Sequence, residues 1–426
     1  MDEPMAAVEL TEARPVRSAL LPLVLVISLF FLWGVANNLN DILIRQFKKA
    51  FELTDFQSGL VQSAFYLGYF FLAVPAALFM RRYGYKGGIV LGLLLYGAGC
   101  FLFYPAAQVR VYSMFLLALF VIASGLSFLE TAANPFVTVL GAAETAARRL
   151  NLAQSFNPLG SITGVFVGRM FIFSGIERTP EQLAAMPEAA RNAYFATESS
   201  AVQTPYLVIG VVVLLLALVI GVTRFPTPVA ESSETDSHTG GQIRDLAGRK
   251  SYVLAVIAQF FYVGAQVGIW SYLIRYAQGT IPGTRETTAA DYLIASLIAF
   301  TVGRFAGTAL MRYLEPRRVL AAYALINTVL AAVAVWAPGM VGLCALIATS
   351  FFMSVMFPTI FAVGIRGLGS SRKLGSSVLV MAIIGGALLT PLMGAISGYG
   401  GINYAMAVPC FCFLVVLYFA TLGTER

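Results

Sequence analysis

The sequence predicts an all-α polytopic membrane protein with twelve transmembrane helices in two pseudo-symmetric six-helix bundles. Apolar residues make up 58% of the 426 residues and charged residues only 12%, whereas a soluble domain carries about a quarter charged residues. The mean hydropathy is +0.80. The apolar residues form blocks of about 20, each long enough to cross about 30 Å of hydrocarbon as a helix.

These blocks define twelve spans, which a polar stretch divides into two sets of six. The predicted spans are 19–43, 56–79, 88–108, 111–139, 151–174, 203–223, 251–277, 289–311, 318–337, 340–365, 375–397 and 402–421. The predicted domains are a tail at 1–18, an N-terminal bundle at 19–224, a linker at 225–250, a C-terminal bundle at 251–421 and a tail at 422–426. The polar composition of the linker is typical of a flexible tether.

The distribution of Lys and Arg predicts the orientation. With both termini in the cytoplasm, eighteen of the 28 basic residues fall on the cytoplasmic side, eight fall outside and two, Arg169 and Arg304, fall within spans. This excess predicts a multi-pass protein of the cell inner membrane with cytoplasmic termini, tails and linker. The net charge of +7 therefore reflects membrane orientation, and we expect no nucleic-acid partner. Four scattered cysteines and one loop histidine offer no metal-ligand spacing.

Two signals indicate an internal repeat. RRLN at 148–151 and RKLG at 372–375 are 224 positions apart, and Pro135 and Pro358 are 223 apart. Small residues recur at every fourth position of three spans, namely at Gly160, Gly164, Gly168, Gly303, Gly307, Gly386, Thr390, Gly394 and Gly398. Such faces let helices approach closely. They either pack each bundle internally or form the seam along which the two halves move.

Two carboxylates lie in predicted spans. Asp41 ends the first span in the run NNLND, where it shares a helix face with Asn37. It is either a functional group or a carboxylate near the membrane surface paired with Arg45. Glu130 lies deep in the fourth span, where an ionised carboxylate is costly, so we expect it to bind a proton near neutral pH. The alternative is a fixed ion pair with Arg304 or Arg169.

Amide side chains occur on several spans of both halves. They are Gln57, Gln62, Gln154, Asn157, Gln259 and Gln266, and Trp270 follows the last of them by one turn. Amides both donate and accept hydrogen bonds, and an indole stacks on a sugar ring, so this set suits a neutral polyhydroxylated ligand. Hydrogen bonding between helices is the alternative for any single amide.

Long strings in both halves resemble one family. They are FFLWGVANNLNDIL, QSGLVQSAFYLGYF, FLETAANPFVTVLG, RRLNLAQSFNPLGS, AQFFYVGAQVGIWSYLIRYA, GRFAGTAL and GSSVLVMAIIGGALLTP. Together they resemble the fucose permease branch of the fucose–galactose–glucose:proton symporters, within the major facilitator superfamily. The resemblance implies the major facilitator fold, alternating access and L-fucose:proton symport. It places the proton-coupling carboxylates at Asp41 and Glu130 and the sugar-pathway residues at Asn38, Gln154, Asn157, Gln266 and Trp270, with Arg304 as the candidate charge partner.

The sequence departs from that branch at two places. The chain has Met356-Phe357-Pro358 at the position where the fucose permease branch has Gln-Tyr-Pro. In this tripeptide the chain resembles the glucose and galactose members of the family instead. Arg81-Arg82 stands where the superfamily usually carries an Asp-Arg pair. The alternatives are therefore a glucose/galactose:proton symporter or, in another class, a membrane sugar sensor without transport. An intramembrane enzyme would need a nucleophile–base pair or a metal cluster, and the sequence shows neither, so we do not expect an enzyme. We expect a monomer that needs no cofactor and is driven by the proton gradient.

Overall fold

The computed structural model describes residues 20–51, 55–172, 180–225 and 239–422, and within these ranges the secondary structure is helical. The N-terminal half contains α1 (Leu20–Ala50), α2 (Asp55–Val109), α3 (Tyr112–Val139), α4 (Ala146–Gln154), α5 (Phe156–Phe171), α6 (Pro180–Ala184), α7 (Glu188–Ser200) and α8 (Gln203–Val222). The C-terminal half contains α9 (Thr239–Gly248), α10 (Lys250–Thr280), α11 (Glu286–Leu310), α12 (Pro316–Trp336), α13 (Met340–Met353), α14 (Met356–Gly364), α15 (Arg372–Met381), α16 (Gly385–Gly400) and α17 (Ala407–Leu422).

Each predicted span corresponds to one helix, part of a helix or a pair of short helices. In the described part of the chain, nine helices are long and apolar enough to cross a membrane. One of them, α2, contains the second and third predicted spans, and its helix breaks only at Gly84, where φ is 70°. A side chain is strained at that φ, so glycine makes the reversal possible without a longer loop.

The fifth, tenth and eleventh predicted spans are each interrupted, which the hydropathy pattern did not predict. α4 and α5 are separated at Ser155, and α13 and α14 at Ser354 and Val355. The eleventh span is divided between α15, which ends at Met381, and α16, which begins at Gly385. Proline explains the first two breaks, because Pro158 and Pro358 follow within four residues and have no N–H to continue the helical hydrogen bonds. The carbonyls four residues earlier belong to Gln154 and Ser354 and lack their usual intrahelical donor.

The stripes of small residues pack mainly inside each half. A Cβ at Gly160 of α5 would collide with the main-chain oxygen of Phe31 in α1, and a Cβ at Gly385 of α16 would collide with that of Phe260 in α10. The same helix crossing therefore occurs in both halves, as expected for a duplicated unit. Gly303 of α11 is likewise packed against α13 of its own half. Gly386 of the α16 stripe lies near Val267 of α10 and also near the Tyr66 hydroxyl of α2 in the other half. Packing inside a half therefore accounts for Gly160 and Gly303, and the interpretation of the stripes as a seam between the halves stays a prediction.

The halves contact each other at the end of the bundle where α8 ends and α10 begins, which we call the linker end. Asn151 of α4 donates to Thr359 Oγ1 of α14 at 3.0 Å. Lys373 of α15 is buried, with Nζ 5.2 Å from the ring centre of Tyr85. These contacts close the bundle at the linker end.

Part of the predicted linker is structured. α9 packs on the C-terminal half, where Gln242 Nε2 donates to Ser370 O at 3.2 Å and Ser371 Oγ donates to Asp245 Oδ2 at 3.1 Å. Arg249 pairs with Asp245 at 3.1 Å. This hydrogen-bonded pairing lowers the pKa of the Asp245 carboxyl below its usual range. The prediction of a flexible tether is therefore wrong for 239–248, and 226–238 lie outside the described residues.

Candidate functional site

Glu130 lies in the buried part of α3, and 1% of its surface is exposed. Asn134, one turn along the same helix, donates from Nδ2 to Glu130 Oε1 at 3.5 Å. Glu130 Oε2 is buried and has no hydrogen-bond partner among the described residues. Tyr69 of α2 is close enough to interact electrostatically with the carboxyl group. Glu130 therefore has a free oxygen in a setting that disfavours its charge.

Two amides connect Glu130 to Arg304 of the other half. Gln154 Nε2 donates to Asn134 Oδ1 at 2.9 Å. Arg304 Nη1 lies 3.5 Å from Gln154 Oε1 and donates to the Gln154 main-chain oxygen at 3.0 Å. The alternative of a direct ion pair between Glu130 and Arg304 is thus replaced by a chain of hydrogen bonds. The side chain of Arg169, the other suggested partner, lies outside the described residues.

Arg304 is 4% exposed and makes its hydrogen bonds to main-chain oxygens in both halves. Its Nε donates to Ser354 O at 2.7 Å, and its Nη1 donates to Gln154 O. These are the two carbonyls that Pro158 and Pro358 leave without an intrahelical donor. The guanidinium also lies over the ring of Phe300, 4.6 Å from its centre. The Arg304 side chain therefore supplies a hydrogen-bond donor to the free carbonyl at each of the two helix breaks.

Trp270 of α10 is held by two serines. Its Nε1–H donates to Ser350 Oγ at 3.1 Å, and Ser350 Oγ lies 2.5 Å from Ser296 Oγ. The indole makes an edge-to-face contact with Phe300, with ring centres 5.0 Å apart. Because the N–H is already used, the indole offers its ring surface to a ligand rather than a hydrogen bond.

The other predicted sugar-pathway residues are placed less fully. Asn157 Nδ2 donates to Phe30 O at 3.2 Å across the crossing of α5 and α1. Gln266 is partly buried and precedes Trp270 by about one turn of α10. Asn38 and Asp41 lie on α1, but their side chains lie outside the described residues. The structure thus brings Glu130, Gln154, Arg304 and Trp270 into one connected group and leaves the roles of Asn38 and Asp41 as predictions.

Sequence reasoning missed several members of this group. Ser296 and Phe300 precede Arg304 by two turns and one turn on α11, and Ser350 lies on α13. A search for polar and aromatic residues at i, i+4 and i+8 would have found the α11 set. The link through Asn134 depends on how α3, α4 and α11 meet, so no spacing in the sequence indicates it.

Comparison with known proteins gives consistent results. The sequence pattern of the Major Facilitator Superfamily matches residues 23–383. The chain is 48% identical over 419 residues to the L-fucose-proton symporter of Escherichia coli K12, covering 97% of this chain and 95% of that protein. It is 38% identical over 402 residues to a glucose/galactose transporter of Brucella abortus, covering 93% and 92% of the two chains.

A solved structure shows the same fold. It is the crystal structure of the Major Facilitator Superfamily transporter FucP in the outward conformation, and it superposes with a TM-score of 0.90 at 47% identity. The match covers 96% of this chain and 100% of that one.

Proposed function

We infer that this chain, which belongs to the Major Facilitator Superfamily, imports L-fucose or a similar neutral monosaccharide together with protons by alternating access. The observation that carries this proposal is the buried Glu130, which has an unpartnered oxygen and is connected by two amides to the other half. A carboxyl group in this setting can exchange a proton and influence how the halves meet. The similarity to an L-fucose-proton symporter supports the same function.

The proposed sugar site lies between the halves, and proton coupling is assigned to Asp41 and Glu130. Trp270 would stack on one face of the sugar, and Gln266, Asn157, Gln154 and Asn38 would supply amide hydrogen bonds. The fixed orientation of the indole supports this assignment, because an ordered aromatic ring loses little entropy when a ligand binds.

Uptake into liposomes tests the proposal. Purified protein should concentrate labelled L-fucose when the outside is made acidic, and it should only equilibrate the sugar when the pH gradient is collapsed. Binding of sugar without uptake in either condition would instead identify a sensor. Liposomes without protein provide the background rate.

A second candidate substrate class follows from α14. Met356 and Phe357 are buried apolar side chains at the level of Ser354, and they lack the polar groups predicted for the fucose permease branch. The 38% identity to a glucose/galactose transporter also favours this class. Competition by L-fucose, D-galactose and D-glucose against each labelled sugar distinguishes the two, because the true substrate competes at the lowest concentration.

We also propose an inner-membrane location with both termini and the linker in the cytoplasm, supported by the excess of Lys and Arg on that side. A cysteine replacing His238 in an otherwise cysteine-free chain should resist impermeant thiol reagents in intact cells. Labelling from outside the cell would reverse the orientation.

A further inference from the structure

Tyr66 of α2 meets the C-terminal half beside the proposed sugar site. A Cβ added at Gly386 of α16 would lie 3.2 Å from the Tyr66 hydroxyl oxygen and 2.8 Å from Val267 Cγ2 of α10. Val267 follows Gln266 in the chain and precedes Trp270 by about one helical turn, and both of these residues belong to the proposed sugar site. The Tyr66 hydroxyl therefore occupies a notch that exists because residue 386 has no side chain, and we call it the Gly386 notch.

The burial of α2 changes at Tyr66. Ala73 and Ala77 share its face of the helix, lie closer to the linker end and are completely buried, whereas Tyr66 is partly exposed. Leu67 and Phe71, which are exposed, lie on a different face of α2. On the linker side of Tyr66, α2 packs against α15 of the other half. Tyr66 therefore lies at the edge of the contact between the halves, where its side chain is not fully enclosed.

A helix interruption lies at the same place. α15 and α16 are separated by residues 382–384, which form a single 3₁₀ turn. Gly385 brings this segment against the main chain of Phe260 in α10, and the next residue, Gly386, faces Tyr66. Irregular main chain inside a membrane is tolerated only where protein or a water-filled cavity shields it from lipid, and transporters form their substrate sites at such interruptions. The interruption therefore supports a ligand site beside the Gly386 notch.

We propose that Tyr66 is a further sugar-binding residue, whose hydroxyl forms a hydrogen bond with a sugar hydroxyl, and that Gly386 fixes its position by leaving room for it. A phenol hydroxyl both donates and accepts hydrogen bonds, so it can bind a sugar hydroxyl while it keeps a contact with the protein. Tyr66 is also close enough to Tyr69, the neighbour of Glu130, to interact with it electrostatically. The role rests on the proposed sugar transport and adds a contact from α2 to the sugar site.

Removal of the Tyr66 hydroxyl tests the contact. Tyr66→Phe keeps the ring, and it should weaken binding of the sugar that competes at the lowest concentration by roughly 2- to 12-fold, the effect of one hydrogen bond. Calorimetry with the purified protein measures the change. Tyr399→Phe, at a position 95% exposed, is the control and should bind as the unsubstituted protein does. Unchanged affinity in Tyr66→Phe would overturn the proposal.

Deoxy sugars distinguish a direct contact from a change in the shape of the site. The same sugar and its analogues, each without one hydroxyl, are compared by competition in Tyr66→Phe and in the unsubstituted protein. The analogue without the hydroxyl that Tyr66 binds should have the same affinity for both proteins within about twofold, whereas the other analogues should keep the 2- to 12-fold difference. An equal loss for every analogue would show that Tyr66 binds no sugar hydroxyl.

Two glycines of α16 test the notch as a matched pair. A methyl group at Gly386 meets the Tyr66 hydroxyl and Val267, so Gly386→Ala should weaken sugar binding at least as much as Tyr66→Phe does. No atom lies within 4 Å of a Cβ at Gly398, so Gly398→Ala should leave the affinity unchanged. Combined with Tyr66→Phe, Gly386→Ala should have a smaller effect, because the hydroxyl is already absent. The same fold-change in both backgrounds would show that Gly386 does not position Tyr66.

Uptake measurements separate the role of Tyr66 from the proposed function. Sugar accumulation on a pH gradient in the unsubstituted protein, combined with unchanged affinity in Tyr66→Phe, overturns the role of Tyr66 and leaves symport standing. If the unsubstituted protein neither binds nor accumulates any of the sugars, symport and the role of Tyr66 are overturned together.

Discussion

The buried polar groups near Glu130 and those near Arg304 and Trp270 differ in how fully they are hydrogen-bonded. In the N-terminal half, Glu130 Oε2, Thr131 Oγ1 and Asn37 Oδ1 are buried without hydrogen-bond partners among the described residues. In the C-terminal half, Arg304 donates from Nε to Ser354 O and from Nη1 to Gln154 O of the other half, and Trp270 donates from Nε1 to Ser350 Oγ. Acceptors near Glu130 are therefore left open, whereas Arg304 and Trp270 are held by hydrogen bonds. Farther from these two residues, Gln259, Asn327 and Ser376 of the C-terminal half also have buried polar atoms without partners among the described residues.

This difference indicates a division of labour. A buried polar atom without a partner costs about 1–3 kcal/mol, so the N-terminal half gains most when a proton or a sugar hydroxyl arrives. The paired groups of the C-terminal half gain little from a ligand but hold aromatic and cationic surfaces in fixed positions. We expect proton coupling to depend on the N-terminal half and ligand orientation on the C-terminal half.

The largest expected effect tests the N-terminal half. Glu130→Gln removes the titrating group and should abolish sugar accumulation on a pH gradient, while sugar exchange in counterflow partly survives, because a neutral amide resembles the protonated carboxyl. Asp41→Asn should also abolish accumulation. Glu198→Gln is the matched control, since Glu198 is 1% exposed but hydrogen-bonded to Gln46 away from the site. Accumulation by Glu130→Gln equal to that of the unsubstituted protein would show that this carboxyl is structural.

Measurements of sugar affinity test one proposed sugar-site residue from each half. Trp270→Ala removes a stacking surface and Asn157→Ala an amide, and each should weaken binding by about 5- to 150-fold, equivalent to about 1–3 kcal/mol. Calorimetry with L-fucose measures the change. Trp336→Ala, at a position 79% exposed, should bind as the unsubstituted protein does. Unchanged affinity in both site variants would remove these residues from the sugar site.

A smaller effect is expected for the support of Trp270. Ser350→Ala removes the acceptor of the indole N–H, so the ring loses a fixed orientation and sugar affinity should fall by roughly 2- to 12-fold. The tryptophan emission spectrum should also change, because the indole N–H loses its hydrogen bond. Ser377→Ala, which removes a buried hydroxyl bonded to Leu374 O, is the control. An unaltered spectrum in Ser350→Ala would show that the hydroxyl does not orient the indole.

The smallest effect concerns α9. Because pairing with Arg249 lowers the pKa of Asp245, the stabilisation that it contributes is present above the usual Asp value of about 3.9 and is lost as the pH falls through the lower folded value. The protection of the amides of 239–248 against hydrogen exchange, measured relative to an unstructured peptide at the same pH, should therefore decrease at strongly acidic pH, and Asp245→Asn should decrease it at pH 7 as well. Glu315→Gln, in an exposed pair with Arg318, should leave exchange in 239–248 unchanged.

Sequence reasoning predicted the helices better than their contacts. Blocks of apolar residues locate the spans because hydrocarbon thickness sets their length. The breaks before Pro158 and Pro358 could have been predicted, since proline acts on a carbonyl four residues away. The structure of α9 could not have been predicted, because it depends on the packing of Gln242 and Leu246 against the C-terminal half, where Gln242 donates to Ser370 O. The meeting of Gln154 with Arg304 likewise depends on how two separate helix pairs face each other.

The close crossing of α1 and α5 has a mechanical consequence. Gly34 lies near the middle of the 31-residue α1, and its main chain meets α5 at Asn157 with no side chain between them. At 1.5 Å per residue α1 is about 46 Å long, so turning it by about 10° around this crossing displaces each end by about 4 Å. The crossing can therefore serve as a fulcrum. A small change in the position of Asn157 relative to α1 then becomes a displacement of the helix ends that is wide enough to open or close a passage for a sugar ring.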